Sequence, residues 1–279
     1  MKKVSAITGG AGGIGRATAI ELGKQGLVVI GDLLQENIDY TGKILTSLNI
    51  EHYNMVMDVR DRKSCDEFAA FASRHGPISN FINIAGVGPN TTYTEAELST
   101  SRETYHTNSV GALNTVEAFF PYMADGSVMI QTASQASYHV HMDDTVWKIF
   151  MSCDEDGFLD RLCTLTEMYD EYEGNGQAYC FSKRFVLEHC KASAWRFAAK
   201  GARIVSVSPG MHWTCHVWDL DEDTREGNLG ITPLQRYGCT SDLGCVYAFL
   251  CGDTARYITG ADILVDGGGI TTFGKWKIK

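Results

Sequence analysis

A glycine-rich turn near the amino terminus constrains the fold of this chain more than any other feature. Residues 4–7 are apolar and β-prone, the sequence Thr-Gly-Gly-Ala-Gly-Gly-Ile-Gly follows at 8–15, and a helical pattern comes next. In a strand–turn–helix unit, Gly9 allows a tight turn, Gly13 lets the backbone approach a pyrophosphate, and Gly15 lets helix and strand pack closely. The N-terminus of the helix attracts the phosphate charge. The pattern therefore predicts a dinucleotide-binding unit rather than a glycine loop without a ligand.

The second predicted strand indicates which dinucleotide binds. It spans 27–31 and ends at Asp32. A carboxylate at this position can accept hydrogen bonds from a ribose 2′-OH and repels a 2′-phosphate. Gly12 and Leu33 stand where a basic residue could neutralise such a phosphate. We therefore expect the cofactor to be NAD(H) rather than NADP(H).

Composition argues against several classes of protein. The chain has 279 residues, of which 44% are hydrophobic, which suits one large α/β domain. The formal net charge of −10 argues against nucleic acid as a partner. No uninterrupted apolar run is long enough to span a bilayer, so we expect no membrane association. Nine cysteines without a Cys-x-x-Cys pair indicate reduced thiols and a cytoplasmic protein.

Tyr179 and Lys183 have a spacing with chemical meaning. Residues four apart lie on one face of a helix. A tyrosine titrates near pH ~10, and a nearby cation favours the phenolate and lowers that pKa. Such a pair can move a proton to or from a substrate oxygen, although the same spacing also occurs by chance on many helices.

Together with motifs elsewhere, these features resemble the short-chain dehydrogenase/reductase family. The motifs follow the family's order and cover nearly the whole chain: Thr8–Gly15, Asp58-Val59, Asn83-Ile84-Ala85-Gly86, Asn108-Ser109-Val110-Gly111, Ser134 after a strand at 128–132, Tyr179 with Lys183, Pro209-Gly210 with Thr214, Pro233–Arg236, Ile258-Thr259-Gly260 and Val265–Gly268. Ile84 is a departure from the family's usual Asn-Asn-Ala-Gly. The resemblance implies a Rossmann-like, doubly wound, seven-stranded parallel sheet with helices on both faces, formed by residues 1–279 as one domain.

The resemblance also implies roles for four catalytic residues. Tyr179 is expected to be the general acid/base, and Lys183 to lower its pKa and to hold the nicotinamide ribose. Ser134 would donate a hydrogen bond to the substrate oxygen, and Asn108 would hold a water that links Lys183 to solvent. The expected cofactor contacts are Gly9, Gly13, Ile14, Gly15, Asp32, Asp58, Val59, Asn83, Ala85, Gly86, Tyr179, Lys183, His212 and Thr214.

The serine assignment has two rivals. Ser137 lies close to Ser134 in the sequence, and aligning the family pattern from residues 126–127 would select Ala133 instead. Ser134 fits the pattern best, because it closes the segment Thr-Ala-Ser after the strand.

An acidic insertion of about 138–176 separates Ser134 from Tyr179, which lie 45 positions apart. Between residues 138 and 176 there are ten acidic and two basic residues. Apolar residues at three- and four-residue steps predict an amphipathic helix that begins near 156: Phe158, Leu162, Leu165, Tyr169 and Tyr172. The insertion could be a lid that brings Trp147, Phe150 and Met151 to the substrate, or a packing element that reshapes a subunit interface.

The substrate is expected to be a small apolar secondary alcohol or ketone. The insertion between Ser134 and Tyr179 resembles that of some hydroxysteroid dehydrogenases of this family, which implies a steroid or bile-acid hydroxyl as substrate. Aromatic residues in the insertion and in the predicted substrate loop, about 211–235, favour the same large apolar substrate; they include Trp213 and Trp218. A polyol or a hydroxyacyl compound is the alternative substrate, and a non-catalytic NAD-binding sensor is a more distant alternative. The resemblance implies a homodimer or homotetramer. No metal is expected, although His139, His141, Asp143 and Asp144 superficially resemble a metal site.

Overall fold

A computed structural model describes residues 3–88, 92–94, 97–98, 100–169, 176–214 and 222–272. Its strands are β1 Val4–Thr8, β2 Leu27–Asp32, β3 His52–Val56, β4 Ile78–Asn83, β5 Thr92–Thr94, β6 Glu97–Leu98, β7 Val128–Thr132, β8 Arg203–Pro209 and β9 Asp262–Val265. Seven of them form one parallel sheet in the order β3-β2-β1-β4-β7-β8-β9, and β5 pairs with β6.

The helices connect these strands and cover the sheet. The α-helices are α1 Gly13–Gly23, α2 Gln35–Ser47, α3 Arg62–Ser73, α4 Ser101–Tyr105, α5 Gly111–Phe119, α6 Asp144–Met151, α7 Phe158–Met168, α8 Gly176–Ala198, α9 Glu222–Gly230, α10 Thr240–Cys251 and α11 Gly269–Thr272. A π-helical turn, His106–Val110, joins α4 to α5. Short 3₁₀ turns are formed by Phe120–Tyr122, Gln135–His139 and Asp253–Ala255.

Both faces of the sheet are buried, which confirms the predicted doubly wound fold. Side chains of one strand alternate between two apolar clusters. Val29 and Phe81 pack with residues of α3, α5 and α8, whereas Ile30 and Ile82 pack with residues of α1 and α10. Strands buried on both faces are continuous apolar runs, which explains the composition of β1 and β2.

The order of the strands fixes the position of the site. The chain leaves β1 toward β2 and β3 on one side, then crosses over to β4, β7, β8 and β9 on the other. A crevice therefore opens beyond the carboxyl ends of β1 and β4, where a doubly wound sheet binds its ligand. The glycine turn after β1 lies at this crevice.

The insertion packs its apolar residues against the helix that carries Tyr179. Helices α6 and α7 contribute Val146, Phe150, Phe158, Leu162 and Leu165 to a cluster with Phe181 and Phe185 of α8. Phe150 is only 4% exposed, and its ring meets that of Phe185 at 5.3 Å between centroids. Trp147 and Met151 of α6 are exposed. The described contacts therefore favour the packing role for Phe150 over a place in a substrate pocket.

The predicted amphipathic helix is shorter than expected. It begins at Phe158 because Gly157 turns the chain with a φ of 79°. Arg161 stabilises this turn by donating to the carbonyl oxygens of Ser152 and Asp156 at 2.9 and 2.8 Å. Tyr169 lies just beyond the end of the helix, and residue 172 lies outside the described residues.

Asp143, one of the four residues that resembled a metal site, has other partners. Asp143 caps α6 by accepting hydrogen bonds from the backbone N–H groups of Thr145 and Val146. The Asp143 carboxylate also accepts a hydrogen bond from the Tyr169 hydroxyl. In the part of the chain that the structure describes, no three His, Cys, Asp or Glu side chains converge as metal ligands, and no helix is long and apolar enough to cross a membrane.

Candidate active site

Two glycines of the turn after β1 cannot carry a side chain. Gly9 has a φ of 63°, and a Cβ atom on it would lie 2.7 Å from the backbone nitrogen of Ala85. A Cβ atom on Gly15 would lie 1.9 Å from the carbonyl oxygen of Gly9. A side chain on Gly13 would meet only the methyl groups of Thr214 and Thr240, at 3.5–3.6 Å. Gly9 and Gly15 therefore allow close packing of turn and helix, whereas a Cβ atom on Gly13 would fit in ordinary van der Waals contact.

A cavity of about 290 Å³ lies beside this turn and is called the nucleotide cleft below. Ten of the predicted cofactor contacts line it: Gly9, Gly13, Ile14, Gly15, Asp32, Asp58, Val59, Ala85, Gly86 and Thr214. Further lining residues were not predicted from the sequence: Gly12, Leu33, Met57, Arg60, Ile84, Val87 and Thr107. Most of these residues are immediate sequence neighbours of predicted contacts, so they could have been predicted from their position next to a motif.

The end of the cleft at β2 is acidic. Asp32 accepts hydrogen bonds from the backbone nitrogens of Ala11 at 3.0 Å and Leu33 at 2.8 Å. These bonds hold the carboxylate between the glycine turn and the start of α2. Arg16 is directed elsewhere, because it donates to Ala11 O and to Thr41 Oγ1 at 2.9 Å each, and it does not line the cleft.

Asp58 is bound by an arginine that the sequence analysis did not consider. Arg60 donates to the Asp58 carboxylate from its backbone nitrogen and its guanidinium at 2.7–3.1 Å. Burial acts to raise the pKa of Asp58, but the hydrogen bonds from Arg60 outweigh it and hold that pKa below its usual range. The Asp58 carboxylate is therefore charged and already engaged at the edge of the cleft.

The structure brings Ser134, Tyr179 and Lys183 together. The Ser134 hydroxyl is hydrogen-bonded to Tyr179. The Lys183 ammonium lies 5.9 Å from the centre of the Tyr179 ring and donates to the carbonyl oxygen of Thr132 at 3.0 Å. A Cβ atom on Gly86 would come within 3.1 Å of this ammonium, so Lys183 lies directly behind the cleft.

Burial sets the charge states of this group. It raises the pKa of Tyr179, and the hydrogen bond from Ser134 offsets part of that rise. Burial also lowers the pKa of Lys183 to about 8. The pKa of Tyr179 is therefore raised, not lowered as its spacing from Lys183 led us to expect, because desolvation disfavours the phenolate.

Asn108 lies in the π-helical turn and is held by protein atoms. Its Oδ1 accepts from the backbone nitrogen of Val87 at 2.9 Å, and its Nδ2 donates to Val87 O at 3.0 Å and Ser182 Oγ at 3.1 Å. Both amide protons are thereby used, so the side chain does not offer a donor to a relay water. The sequence did not indicate Ser182, although it lies within the Tyr-x-x-x-Lys segment.

Three side chains named in the sequence analysis lie away from the cleft. Asn83 accepts from Thr8 Oγ1 at 2.5 Å and donates to Gln131 Oε1 at 2.7 Å, so it ties neighbouring strands together. The His212 ring packs against Gly238, and burial lowers its pKa. Ser137 is fully buried. Asn83 and His212 do not line the nucleotide cleft, and their role as cofactor contacts stays a prediction.

Comparisons with known proteins agree with this geometry. A family model described as short chain dehydrogenase matches residues 3–145, and one described as enoyl-(acyl carrier protein) reductase matches residues 162–269. The 3-oxoacyl-(acyl-carrier-protein) reductase FabG of Thermotoga maritima is 28% identical over 272 residues, which cover 95% of this chain and 97% of that protein. The 7alpha-hydroxysteroid dehydrogenase of Bacteroides fragilis is 26% identical over 274 residues, with coverages of 95% and 93%.

Solved structures show the same fold. A short-chain dehydrogenase/reductase from Serratia marcescens superposes with a TM-score of 0.78 at 20% identity, over 97% of this chain and 98% of that one. This likeness supports the fold alone, whereas the family models cover most of the sequence motifs. The chain belongs to the short-chain dehydrogenase/reductase family, whose members are NAD(P)(H)-linked oxidoreductases of alcohols and ketones.

Proposed function

We propose that this protein is an NAD(H)-dependent oxidoreductase in which Tyr179 exchanges the proton with the substrate oxygen. The observation that carries the proposal is the hydrogen-bonded contact of Ser134 with Tyr179, with the Lys183 ammonium close both to the Tyr179 ring and to Gly86 of the nucleotide cleft. A non-catalytic sensor would have no need of this arrangement. The cleft suits a dinucleotide, because Gly9 and Gly15 close the turn tightly while Gly13, at the start of α1, lines the cavity where a phosphate would bind.

Tyr179, Ser134 and Lys183 have separate roles in the proposed reaction. Bound nicotinamide would supply the hydride donor or acceptor. In reduction, Tyr179 Oη gives its proton to the carbonyl oxygen while Ser134 Oγ donates a hydrogen bond to the same oxygen. In oxidation, the Tyr179 phenolate takes the hydroxyl proton, and Lys183, which lies close to Gly86 of the cleft, would hold the nicotinamide ribose.

Replacement of the phenol tests the assignment. Tyr179→Phe keeps the ring and removes the proton, so we expect kcat to fall at least a hundredfold, roughly the range of general acid–base catalysis. Binding of NADH, followed by its fluorescence, should persist. Tyr122→Phe is the control, since Tyr122 precedes β7 and therefore lies at the opposite edge of the sheet. A Tyr179→Phe enzyme with most of its kcat would contradict the proposal.

We infer a preference for NAD(H) from the acidic end of the cleft. A 2′-phosphate there would meet the Asp32 carboxylate, while Arg60 is engaged by Asp58 and Arg16 by Ala11 and Thr41. Asp32→Ser should therefore lower the ratio of kcat/KM for NADH to that for NADPH by at least about tenfold, which is about 1.4 kcal/mol. Asp39→Asn on the exposed side of α2 is the control. An unchanged ratio in the Asp32 variant would contradict the inference.

A steroid or bile-acid hydroxyl is our proposed substrate class. Trp213 precedes Thr214, a residue that lines the cleft, and its ring remains 42% exposed beside Tyr237 at 4.9 Å between centroids. An apolar surface therefore borders the site, as a rigid apolar substrate requires. Phe150 is buried and is not part of this surface, and residues 215–221 of the predicted substrate loop lie outside the described residues.

A substrate panel tests the class directly. Turnover with NAD⁺ is compared for a bile acid, a polyol and a hydroxyacyl thioester. We expect the bile acid to be oxidised, and Trp213→Ala to raise its KM without changing the KM for NAD⁺. Trp195→Ala is the control, because Trp195 is highly exposed near the end of α8. Turnover of the thioester or the polyol without turnover of any steroid would contradict this choice.

Assembly and location are further proposals. We expect a homodimer or homotetramer, which sedimentation can measure, and a cytoplasmic enzyme. All cysteines in the described ranges are free thiols, in agreement with a reducing compartment.

A further inference from the structure

The residue that contacts Tyr179 stands at the start of a weak turn. Ser134 follows β7, and its hydroxyl accepts from the backbone nitrogen of Ala136 at 3.2 Å. The backbone nitrogen of Ser137 donates to Ser134 O at 3.0 Å. The 3₁₀ turn that follows, Gln135–His139, has only five residues, and so short a segment has little stability of its own. Other contacts must hold Ser134 in place.

A tyrosine four residues further on ties the turn to the edge of the sheet. The Tyr138 hydroxyl donates to Asp262 Oδ2 at 2.7 Å. Ser206 Oγ donates to the other carboxylate oxygen of Asp262 at 2.5 Å. Ser206 and Asp262 are register partners in the parallel pair β8–β9. The Asp262 carboxylate is therefore fixed by the sheet, and a hydrogen bond to such a charged acceptor is stronger than one between neutral groups.

A second contact ties the turn to the catalytic helix. Arg184 of α8 donates from Nη1 to Ser137 O at 3.2 Å and pairs with Glu188 at 2.9 Å. Arg184 follows Lys183 directly in the chain. The turn is thus held between β9 and α8, the helix on which Tyr179 lies.

We propose that Tyr138 and Asp262 are positioning residues that hold Ser134 against Tyr179. The inference rests on the proposed function, because it concerns the contact between Ser134 and Tyr179. Neither residue belongs to a motif that the sequence analysis used. Tyr138 is 40% exposed, so removing its hydroxyl leaves the core intact.

Tyr138→Phe provides the first test. We expect kcat for alcohol oxidation to fall roughly tenfold, because a displacement well below 1 Å already misaligns a catalytic group. The KM for NAD⁺ should not change, since Tyr138 does not line the nucleotide cleft. Asp262→Asn, which keeps an oxygen acceptor, should cost less kcat than Asp262→Ala.

The pH profile separates positioning from loss of folded enzyme. The hydrogen bond from Ser134 acts to lower the pKa of Tyr179, while burial and Cys180 act to raise it. If Tyr138→Phe moves Ser134 away, the pKa of Tyr179 rises, and the rise of kcat with pH shifts to more alkaline values. Lys183 on the same helix is unchanged by the substitution. Partial unfolding would scale the profile without moving its midpoint.

A double-mutant cycle decides whether Tyr138 acts through Ser134. In a Ser134→Ala background, Tyr138→Phe should have no further effect on kcat. Tyr257→Phe, on a fully exposed side chain, is the control and should behave as the unmodified enzyme. A Tyr138→Phe enzyme with normal kcat and pH profile overturns the inference, as does an equal loss in the Ser134→Ala background. Normal kcat in Ser134→Ala alone would instead overturn the proposed function.

Discussion

Truncation of Phe150 tests whether the insertion supports the catalytic helix or contacts the substrate. Phe150 lies on α6, is nearly fully buried, and meets Phe185 of α8 edge to face. Phe158 of α7 also lies against Phe185, at 5.1 Å between ring centroids. Phe150→Ala would therefore open a hole at the junction of α6, α7 and α8, in direct contact with the helix that carries Tyr179.

The expected loss of stability follows from this burial. Transfer of a buried phenylalanine side chain contributes about 1.5–3 kcal/mol, and the cavity that remains raises the cost to about 3–5 kcal/mol. The free energy of unfolding of a typical protein is only about 5–15 kcal/mol, so Phe150→Ala should lower the denaturant midpoint substantially. Trp147 on the same helix is 40% exposed and lies at the surface, so Trp147→Ala leaves no closed cavity and should cost about 1 kcal/mol or less.

Urea unfolding monitored by circular dichroism measures the stability of both variants, and steady-state kinetics at a temperature where both are folded measures the KM for substrate. If the insertion is a packing element, Phe150→Ala is strongly destabilised while its KM changes little. A loss below about 1 kcal/mol together with a raised KM would refute the reasoning, because it would place Phe150 against the substrate.

Three further outcomes follow from the site. Gly15→Ala should abolish NADH binding, because the added Cβ atom would lie 1.9 Å from Gly9 O and force α1 away from the turn; a normal dissociation constant would contradict this. Gly86→Ala should fold but lose about tenfold in kcat, because the Cβ atom would crowd Asn108 Oδ1 at 3.0 Å and the Lys183 ammonium at 3.1 Å. Burial lowers the pKa of Lys183 from 10.5 to about 8, so its charge destabilises the folded state below pH 8, and stability should rise as pH increases from 8 to 10.5. Lys183→Met should therefore be inactive and should lack this rise of stability between pH 8 and pH 10.5, and an equal rise of the urea midpoint in both proteins would contradict this.

Local patterns in the sequence predicted the fold and part of the site. Parallel strands buried on both faces are short apolar runs, and a glycine turn after the first of them is interpretable without tertiary information. The carboxyl ends of such strands meet at one edge of the sheet, which is why residues as distant as Asp32, Gly86 and Thr214 could be predicted to share one cleft. The sequence of the insertion predicted an amphipathic helix but not the helix against which it packs. An amphipathic pattern shows that one face is buried, but it does not identify the surface that buries it.

Local patterns were enough to identify a dinucleotide turn, an acidic residue after β2, and a tyrosine and a lysine on one face of α8. Tertiary structure decided how each group is charged and held. Desolvation by the surrounding core raises the pKa of Tyr179 and lowers that of Lys183, which spacing along a helix cannot reveal. Contacts between distant segments, such as Tyr138 with Asp262, depend on strand register, and register is fixed only when the whole sheet is assembled.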